Sequence, residues 1–263
     1  MKKVAFIFGT RPEAIKLCPL ILRMRQTPSF QPVVCVTGQH REMLQQVLDC
    51  FEVEPDVDLS LMQVNQTLAA FTARAVEAID AFLRRVTPDL VLVQGDTTSV
   101  FCASLVAFYH GVPVGHVEAG LRTWNKLSPF PEEVNRVLTS HIADYHFAPT
   151  ATSRANLLRE GIDESRIFVT GNTVIDALHL AARKVAEHPP TIKALPDPLW
   201  NSDQPVVLIT GHRRENFGRG FEAICRAIST LAQEFPNTAF IYPVHLNPNV
   251  QEPVHRLLNG HPN

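Results

Sequence analysis

Acidic side chains that could transfer protons are concentrated in one stretch of the sequence, GHVEAGLRTWNKLSPFPEEVNR, which spans residues 115–136. Glu118 follows a short apolar strand and precedes a glycine-containing turn, whereas Glu132 and Glu133 stand at the predicted start of a helix. Open α/β proteins place their chemistry at these two kinds of position, just past a strand end and at a helix N-terminus. We therefore expect Glu118 to have a specific functional partner. Glu133 is interpreted as an ordinary helix-start carboxylate, favoured by the helix dipole.

A further carboxylate, Asp96, follows the apolar run Leu90–Gln94 and precedes the polar sequence TTS. Two interpretations of Asp96 remain open. An Asp at such a place commonly caps the helix that follows it. Alternatively, because Asp96 and Glu118 end successive strands, the two carboxylates share one cleft at the carboxyl edge of the sheet.

Two cations are predicted at the same edge of the sheet. The run Val4–Phe8 is apolar throughout, which is typical of a strand buried on both faces of a parallel sheet. The sequence TRPE that follows is typical of a capped helix start, which brings Arg11 and Lys16 beside exposed backbone N–H groups. Such a place suits a phosphate or a carboxylate. The alternative is that both residues are ordinary surface cations.

The composition limits the classes of function. Of the 263 residues, 45% are hydrophobic and 19% are charged, and the net charge is −2. These values predict a globular protein and give no reason to expect nucleic acid or a membrane as a partner. The five cysteines form no C-x-x-C pair and are predicted to be reduced and mostly buried, as in a cytoplasmic protein. The first apolar run is too short for a signal peptide, and no apolar stretch approaches the roughly 20 residues of a membrane helix.

Strands alternate with helices along the chain, which predicts an α/β fold with a doubly wound parallel sheet. The clearest helix is predicted over Thr67–Val86, where apolar residues recur at helical spacing before Pro88. Residues 1–171 are predicted to form one Rossmann-like domain and residues 172–263 a second. Only two strands are predicted after the proline-rich connection that precedes Pro205. Either they extend a single sheet or the second domain is incomplete, and we expect it to be incomplete.

No cofactor or metal site is predicted. Gly218 begins a G-x-G-x-x-A sequence, but the seven residues GHRRENF separate it from the preceding strand, whereas a dinucleotide fingerprint follows its strand directly. The sequence contains no H-E-x-x-H motif and no convergent Cys/His set, and a lone His beside a strand is more commonly a core residue. His212 follows another predicted strand end. Together, the acidic and basic residues at the predicted strand ends and helix starts support a site for an anionic small molecule with acid/base groups.

Eight stretches of the chain resemble the non-hydrolysing UDP-N-acetylglucosamine 2-epimerases: GTRPEAIK, TGQHREML, QGDTTS, GHVEAGLRT, PEEVNR, TGNTVIDAL, GHRRENFGRG and YPVHLNPNV. They occur in the family's order over nearly the whole sequence. The resemblance implies two doubly wound Rossmann-like domains of the GT-B type, with substrate between them. It also implies a cytoplasmic, homodimeric isomerase that interconverts UDP-GlcNAc and UDP-ManNAc for surface polysaccharide synthesis without a cofactor.

The resemblance further implies a route and residue roles. UDP would be eliminated to give 2-acetamidoglucal and added back with the opposite configuration at C2, which requires carboxylates for acid/base work and cations at the departing diphosphate. The matching catalytic positions are Asp96, Glu118, Glu132 and His212. The matching substrate-binding positions are Arg11, Lys16 and Arg136. A possible allosteric site for a second UDP-GlcNAc matches Gln39, His40 and Gln66, although Asn65 stands where regulated members can carry Arg. Which of the three carboxylates takes the C2 proton is left open.

Family members continue beyond the position of Asn263 with a segment that holds the uracil, the ribose and the phosphates. We therefore expect this polypeptide alone to be inactive or nearly so. Three other functions remain open: a hydrolysing 2-epimerase that releases UDP and ManNAc, a GT-B glycosyltransferase, and a non-catalytic nucleotide-sugar binding or oligomerisation partner.

Overall fold

The computed structural model describes residues 1–38, 41–63, 66–192, 195, 203–211, 218–245 and 247–263, with the side chains of residues 41 and 42 excepted. The chain divides into two compact units, Met1–Pro189 and Pro190–Asn263. Within the described ranges, the first unit contains a seven-stranded sheet and the second a two-stranded sheet.

The first unit is built on a parallel sheet. Its strands are β1 (Lys2–Phe8), β2 (Phe30–Val36), β3 (Val57–Asp58), β4 (Leu90–Gln94), β5 (Val114–Val117), β6 (Tyr145–Ala148) and β7 (Ile167–Val169). They are arranged in the order β3-β2-β1-β4-β5-β6-β7, so β1 pairs with β2 on one side and with β4 on the other. The direction of winding therefore reverses between β1 and β4, as in a doubly wound Rossmann-like sheet.

Helices connect the successive strands. They are α1 (Arg11–Arg25), α2 (Arg41–Phe51), α3 (Leu68–Val86), α4 (Thr98–Tyr109), α5 (Glu132–Ile142), α6 (Ala151–Arg159) and α7 (Thr173–Glu187). Threonine side chains cap three of these helices: Thr67 accepts from Ala70 N, Thr97 from Val100 N and Thr150 from Ser153 N. Each cap satisfies a backbone N–H that has no partner within the helix, and this explains where these helices begin.

Both faces of the sheet are covered, which explains why its central strands are apolar throughout. Ala5 and Ile7 of β1 pack with α3 and α4, whereas Val4, Phe6 and Phe8 pack with α1 and α2. Successive side chains of a strand point to opposite faces, so a strand that is buried on both faces needs an unbroken apolar run. This packing fixes the carboxyl ends of the central strands side by side.

The boundary between the compact units lies after Pro189, beyond the boundary at Gly171 that the sequence predicted. The prediction assigned α7 to the second domain. In the structure α7 packs against α1 and contributes Ala177 and Leu180 to the core on that face of the sheet. Its contacts therefore place it in the first unit.

Most predicted elements agree with the structure, and two differ for local reasons. β4 has the bounds Leu90–Gln94 of the predicted apolar run, and α3 ends at Val86 as predicted but begins at Leu68, because Thr67 is its cap. The short apolar strand predicted before Glu118 begins at Val114 and not earlier, because Pro113 has no N–H to donate to a neighbouring strand. β3 was not predicted, since a two-residue edge strand is too short to show a periodic pattern.

The second unit shows the strand–helix alternation that the sequence predicted for it. Its described elements are β8 (Val206–Leu208), α8 (Arg219–Glu234), β9 (Ala239–Ile241) and α9 (Pro248–Leu258). β8 and β9 pair in parallel. Phe221 and Cys225 of α8 pack with Val250 and Val254 of α9 and form a small core of their own.

The cysteines agree with the prediction from their spacing. Cys18, Cys35, Cys102 and Cys225 are buried free thiols, and Cys50 is an exposed one. Burial raises the pKa of the Cys18, Cys35 and Cys102 thiols to about 12, so these groups stay protonated and unreactive. Within the described ranges, no helix combines the length and hydropathy that a membrane span requires.

Candidate active site

Three strand ends lie next to one another at the carboxyl edge of the first unit's sheet. β1 leads into Thr10, β4 into Asp96 and β5 into Glu118. The helices that follow β1 and β4 cover opposite faces of the sheet, because the strand order reverses between these two strands. A crevice therefore opens between the strand ends, and doubly wound sheets bind their ligands in this crevice.

Glu118 is held by three hydrogen-bond donors that come from three different elements. Lys16 Nζ of α1 and Gln94 Nε2 of β4 each donate to Glu118 Oε2 at 2.5 Å, and Asn172 Nδ2 donates to Oε1 at 2.6 Å. The Glu118 side chain is 11% exposed and the Lys16 side chain 20% exposed, so water screens this ion pair little. Glu118 thus has the specific partner that its place in the sequence predicted, and Lys16 is not an ordinary surface cation.

The turn that carries Glu118 has an unusual backbone. Glu118 has a φ of 64°, in the left-handed region that non-glycine residues adopt rarely and at a cost of about 1 kcal/mol or more. Gly120 follows with a φ of 87°, and a Cβ atom there would lie 2.2 Å from the backbone oxygen of Ser153. The glycine at this position is therefore required by close packing, and it fixes the path of the chain just after Glu118. Strained residues of this kind are concentrated at functional sites.

Asp96 faces α5 and does not cap α4. Arg136 Nη2 donates to Asp96 Oδ2 at 2.5 Å, and Asn135 Nδ2 donates to the backbone oxygen of Asp96 at 3.0 Å. Thr97 is the residue that caps α4. Of the two interpretations that the sequence left open, the cap is therefore wrong, and the position of Asp96 is that expected for a cleft shared with Glu118.

Burial raises the pKa of Asp96. The Arg136 guanidinium opposes this effect, whereas the carboxylates of Glu132 and Glu118 add to it. Glu132 and Glu118 are thus close enough for their charges to act on Asp96. A carboxyl group whose pKa is raised toward neutrality is better suited to hold and release a proton.

The two adjacent carboxylates at the start of α5 have different surroundings. Glu132 is partly buried and acts electrostatically on Asp96. Glu133 is 3% exposed and accepts hydrogen bonds from Thr123 N and Trp124 N at 2.9–3.1 Å. Glu133 does lie in the first helical turn as predicted, but its main contacts anchor the preceding loop.

The start of α1 ties two strand ends together through Glu13. Its Oε2 accepts hydrogen bonds from Gly9 N at 3.1 Å and Thr10 N at 2.6 Å, and its Oε1 accepts one from Thr97 Oγ1 at 2.9 Å. Glu13 thereby joins the turn after β1 to the turn after β4. Arg11, the first residue of α1, is partly buried beside this junction, and its binding of substrate stays a prediction.

Two histidines of β5 and β6 are core residues, as the sequence suggested for histidines beside strands. His116 and His146 are register partners and at most 1% exposed. Burial lowers the pKa of His116 to about 3 and that of His146 to about 4, so both rings are neutral near pH 7. His116 Nε2 donates to the backbone oxygen of Gly95 at 2.7 Å. No group of three or more His, Cys, Asp or Glu residues in the described part of the chain is arranged to hold a metal ion.

Three predicted site residues, Gln39, His40 and His212, lie outside the described residues. Gln66 lies just before α3, where its Oε1 accepts hydrogen bonds from Gln63 N and from Arg74 Nη2. Of the predicted site residues, the structure brings together five: Lys16, Asp96, Glu118, Glu132 and Arg136. Gln66 contacts none of these five in the described ranges. An allosteric role for Gln66 stays a prediction.

Sequence reasoning missed two residues of this site, Gln94 and Asn172. Gln94 is the last residue of β4 and is 2% exposed, so the available signal was a lone amide at the end of an apolar run. Asn172 caps α7 through its Oδ1, which accepts from Val174 N. An Asn before a helix signals a cap and nothing more, so its second contact, with Glu118, could not be predicted.

Known proteins match this chain over most of its length. The sequence model of the family described as UDP-N-acetylglucosamine 2-epimerase matches residues 22–263. A Yersinia pestis protein named UDP-N-acetylglucosamine 2-epimerase is 54% identical over 260 residues, which cover 98% of this chain and 69% of that protein.

Two solved structures have the same fold. The UDP-GlcNAc 2-epimerase of Neisseria meningitidis, bound to UDP-GlcNAc, matches with a TM-score of 0.88 and 47% identity over 98% of this chain and 70% of that one. The Methanocaldococcus jannaschii UDP-GlcNAc 2-epimerase, in complex with UDP-GlcNAc and UDP, matches with a TM-score of 0.76 and 35% identity over 97% and 68%. The fold, the acidic crevice and these matches agree, and the chain belongs to the UDP-N-acetylglucosamine 2-epimerase family.

Proposed function

We propose that this protein interconverts UDP-GlcNAc and UDP-ManNAc by inverting the configuration at C2, without releasing free sugar. One structural observation carries the proposal: the carboxylates of Asp96, Glu118 and Glu132 occupy one crevice, beside the cations Lys16 and Arg136. Carboxylates supply the proton transfers, and cations suit the diphosphate. The solved family members bound to UDP-GlcNAc support the choice of substrate.

The chemistry of the substrate favours elimination followed by re-addition. The C2 hydrogen of a 2-acetamido sugar is not next to a carbonyl group, so its direct removal would be very slow. In the elimination, a carboxylate takes the C2 proton, the C2–H electron pair forms the C1–C2 double bond, and UDP leaves with the electrons of the C1–O bond. Re-addition of UDP to the 2-acetamidoglucal, with a proton delivered to the other face of C2, completes a net isomerisation.

The residue types suggest how the work is divided. Asp96, Glu118 and Glu132 exchange protons with the sugar, and burial of Asp96 favours a form that holds a proton. Lys16 and Arg136 are paired with Glu118 and Asp96, so they orient these carboxylates as well as attract the anionic substrate. Two further roles rest on the family pattern alone: Arg11 in substrate binding and His212 in catalysis.

Wider roles are proposed on the family pattern. These are a homodimer, the supply of ManNAc units for surface polysaccharide, and a second UDP-GlcNAc at Gln39, His40 and Gln66. A cytoplasmic location agrees with four buried free thiols among the five cysteines.

The test is incubation of the purified protein with UDP-GlcNAc in deuterated water, followed by proton NMR. If the proposed function is right, UDP-ManNAc appears with deuterium at C2 and no free ManNAc forms, because the C2 proton is lost to solvent during elimination. Substrate that acquires deuterium at C2 before the epimer accumulates would support the same reversible proton removal.

Each alternative gives a different product. Free ManNAc with UDP would identify a hydrolysing enzyme, and transfer of GlcNAc to an acceptor would identify a glycosyltransferase. Conversion by this polypeptide would also show that the expectation of an inactive chain is wrong. If no C2 exchange occurs, the proposed function fails for this chain, and binding of UDP measured by calorimetry would then test the non-catalytic binding partner.

A further inference from the structure

Asn172 contacts a proposed catalytic carboxylate, although the proposed mechanism gives it no role. It lies in the turn between β7 and α7, and its Nδ2 donates to Glu118 Oε1 at 2.6 Å. We propose that Asn172 is a positioning residue whose amide fixes the orientation of the Glu118 carboxylate during epimerisation. The inference rests on the proposed function for its effect on turnover, whereas the hydrogen bond can be tested separately.

The orientation of the Asn172 amide is set by its two different partners. Its Oδ1 accepts a hydrogen bond from Val174 N at 3.0 Å, where the first turn of α7 needs an acceptor. Its Nδ2 faces the carboxylate of Glu118, which accepts but cannot donate when ionised. A flipped amide would turn its oxygen toward the carboxylate and its NH2 group toward a backbone N–H. The helix cap therefore keeps the donor directed at Glu118.

The two oxygens of Glu118 are held from different directions. Lys16 and Gln94 both donate to Oε2, whereas Asn172 is the donor to Oε1 among the described residues. Without Asn172, the carboxylate can pivot about its Oε2 contacts. With all three donors in place, both oxygens of Glu118 are fixed. The position of a catalytic carboxylate matters because a displacement of about 1 Å from the reactive geometry can lower the rate on the order of 10²-fold.

The backbone around Glu118 already fixes where its side chain begins. The left-handed backbone of Glu118 and the tight packing of Gly120 determine where the side chain begins, so only its side-chain torsions remain to be fixed. The N-terminus of α7 also lies beside Glu118, because its cap residue is the donor to Oε1. Asn172 supplies both features at once, as the cap of α7 and as a donor.

Three substitutions of Asn172 separate these two contributions. Asn172→Ser keeps a good cap, but its side chain is too short to reach Glu118. Asn172→Asp keeps the cap and presents an acceptor to Glu118 in place of the donor. Asn172→Ala removes both the cap and the donor. We expect kcat to fall about 10- to 100-fold in N172S and at least as much in N172D, with KM within about 3-fold of the unsubstituted value. The melting temperature should stay close to that of the unsubstituted protein in N172S and fall clearly in N172A.

The contact is tested without turnover by the ¹⁵N–¹H spectrum of the Asn172 side-chain amide, assigned by its loss in N172S. We expect these amide protons to shift upfield in Glu118→Gln, because a bond to a charged acceptor becomes a weaker bond to a neutral one. Thr67→Ala is the matched control for loss of a cap, since Thr67 caps α3 and contacts neither Glu118 nor its donors. It should lower the melting temperature as N172A does and leave kcat within about 2-fold.

The outcomes distinguish this inference from the proposed function. If N172S retains kcat within about 2-fold while the unsubstituted protein is active, Asn172 does not position Glu118 and the proposed function stands. If the amide protons do not move in E118Q, the hydrogen bond is absent and the inference is wrong. If the unsubstituted protein shows no C2 exchange, the proposed function is wrong, and the amide spectrum alone decides whether Asn172 holds Glu118.

Discussion

The ends of β4 and β5 each carry a carboxylate, but they hold it in different ways. At the end of β5, Glu118 receives one charged and two neutral donors, which lie on three separate elements. At the end of β4, the carboxylate of Asp96 depends on one cation, Arg136. The pKa of Asp96 is raised by burial, and the neighbouring acidic groups raise it further.

This difference suggests that the two carboxylates are built for different tasks. Several donors from different directions hold a carboxylate in one orientation, which suits a group that must be aimed at one atom. A carboxyl group in a buried, acidic environment is easier to protonate near neutral pH, which suits a group that carries a proton between steps. Removing the donors at each strand end tests this contrast.

The largest effect is expected from Arg136→Met. The Arg136 side chain is 11% exposed and contacts both Asp96 and Glu133, so its loss leaves two shielded carboxylates without their cation. We expect a loss of about 3 kcal/mol in the free energy of unfolding and about 10²-fold in kcat. The pKa of Asp96 should rise further, because the guanidinium holds it down, and the pH dependence of kcat should move to higher pH.

Arg136→Lys is the matched variant for this test. A single ammonium group cannot contact Asp96 and Glu133 as the planar guanidinium does, so we expect only partial recovery, to within about 10-fold of the unsubstituted kcat. Urea unfolding and pH–rate profiles measure the two effects. An R136M protein with unchanged kcat and pH profile would mean that Asp96 does not take part in the rate-limiting chemistry.

A smaller effect is expected from His116, which links the two strand ends. It lies on β5, and its Nε2 donates to the backbone oxygen of Gly95, beside Asp96. The folded protein lowers the pKa of His116 from its ordinary 6.5 to about 3, so below pH 6.5 the unfolded chain binds a proton that the folded chain does not. The stability that His116 contributes is therefore complete above pH 6.5 and is lost as the pH falls toward about 3.

His116→Gln keeps an amide donor for Gly95 and removes this titration. Between pH 7 and pH 5, the unsubstituted protein should lose about 2 kcal/mol more unfolding free energy than H116Q. His146 titrates similarly but is present in both proteins, so its contribution cancels in the difference. The unfolding free energies are measured in urea at both pH values. Equal losses in the two proteins would show that folding does not lower the pKa of His116.

The sequence predicted the framework of this site because the framework depends on local patterns. The apolar runs located β1, β4 and β5, and parallel pairing brings their carboxyl ends together. Asp96 and Glu118 follow such runs, so the sequence alone places them at one edge of the sheet. Lys16 was placed there in the same way, from the capped start of α1.

The features of the site that the sequence did not predict depend on contacts between distant parts of the chain. The donors to Glu118 come from positions 24, 54 and 102 residues away, and no local pattern specifies such pairings. Asp96 was ambiguous because a cap and a cleft residue occupy the same place in sequence, and only the Thr97 cap of α4 resolves it. Glu133 was predicted at the helix start, but its bonds to Thr123 N and Trp124 N follow from the path of a loop, which composition does not determine.

The smallest effect is expected from Gln94→Leu. The substitution removes one of the two donors to Glu118 Oε2 but leaves the Lys16 ion pair and the Asn172 hydrogen bond in place. We expect kcat to fall about 10-fold or less, and the free energy of unfolding to change by about 1 kcal/mol, the usual net value of one buried hydrogen bond. R136M should be clearly worse, because Asp96 has no comparable second side-chain donor among the described residues.

The double variant Q94L/N172S then tests whether the donors support one another. With both amides gone, Lys16 is the remaining donor to Glu118 among the described residues, and a single flexible ammonium group does not fix a carboxylate's orientation. The double variant should therefore lose more activity than the product of the two single losses, in a kinetic double-mutant cycle. Simple additivity would mean that each amide acts independently, and the contrast between a jointly held Glu118 and a singly held Asp96 would then be wrong.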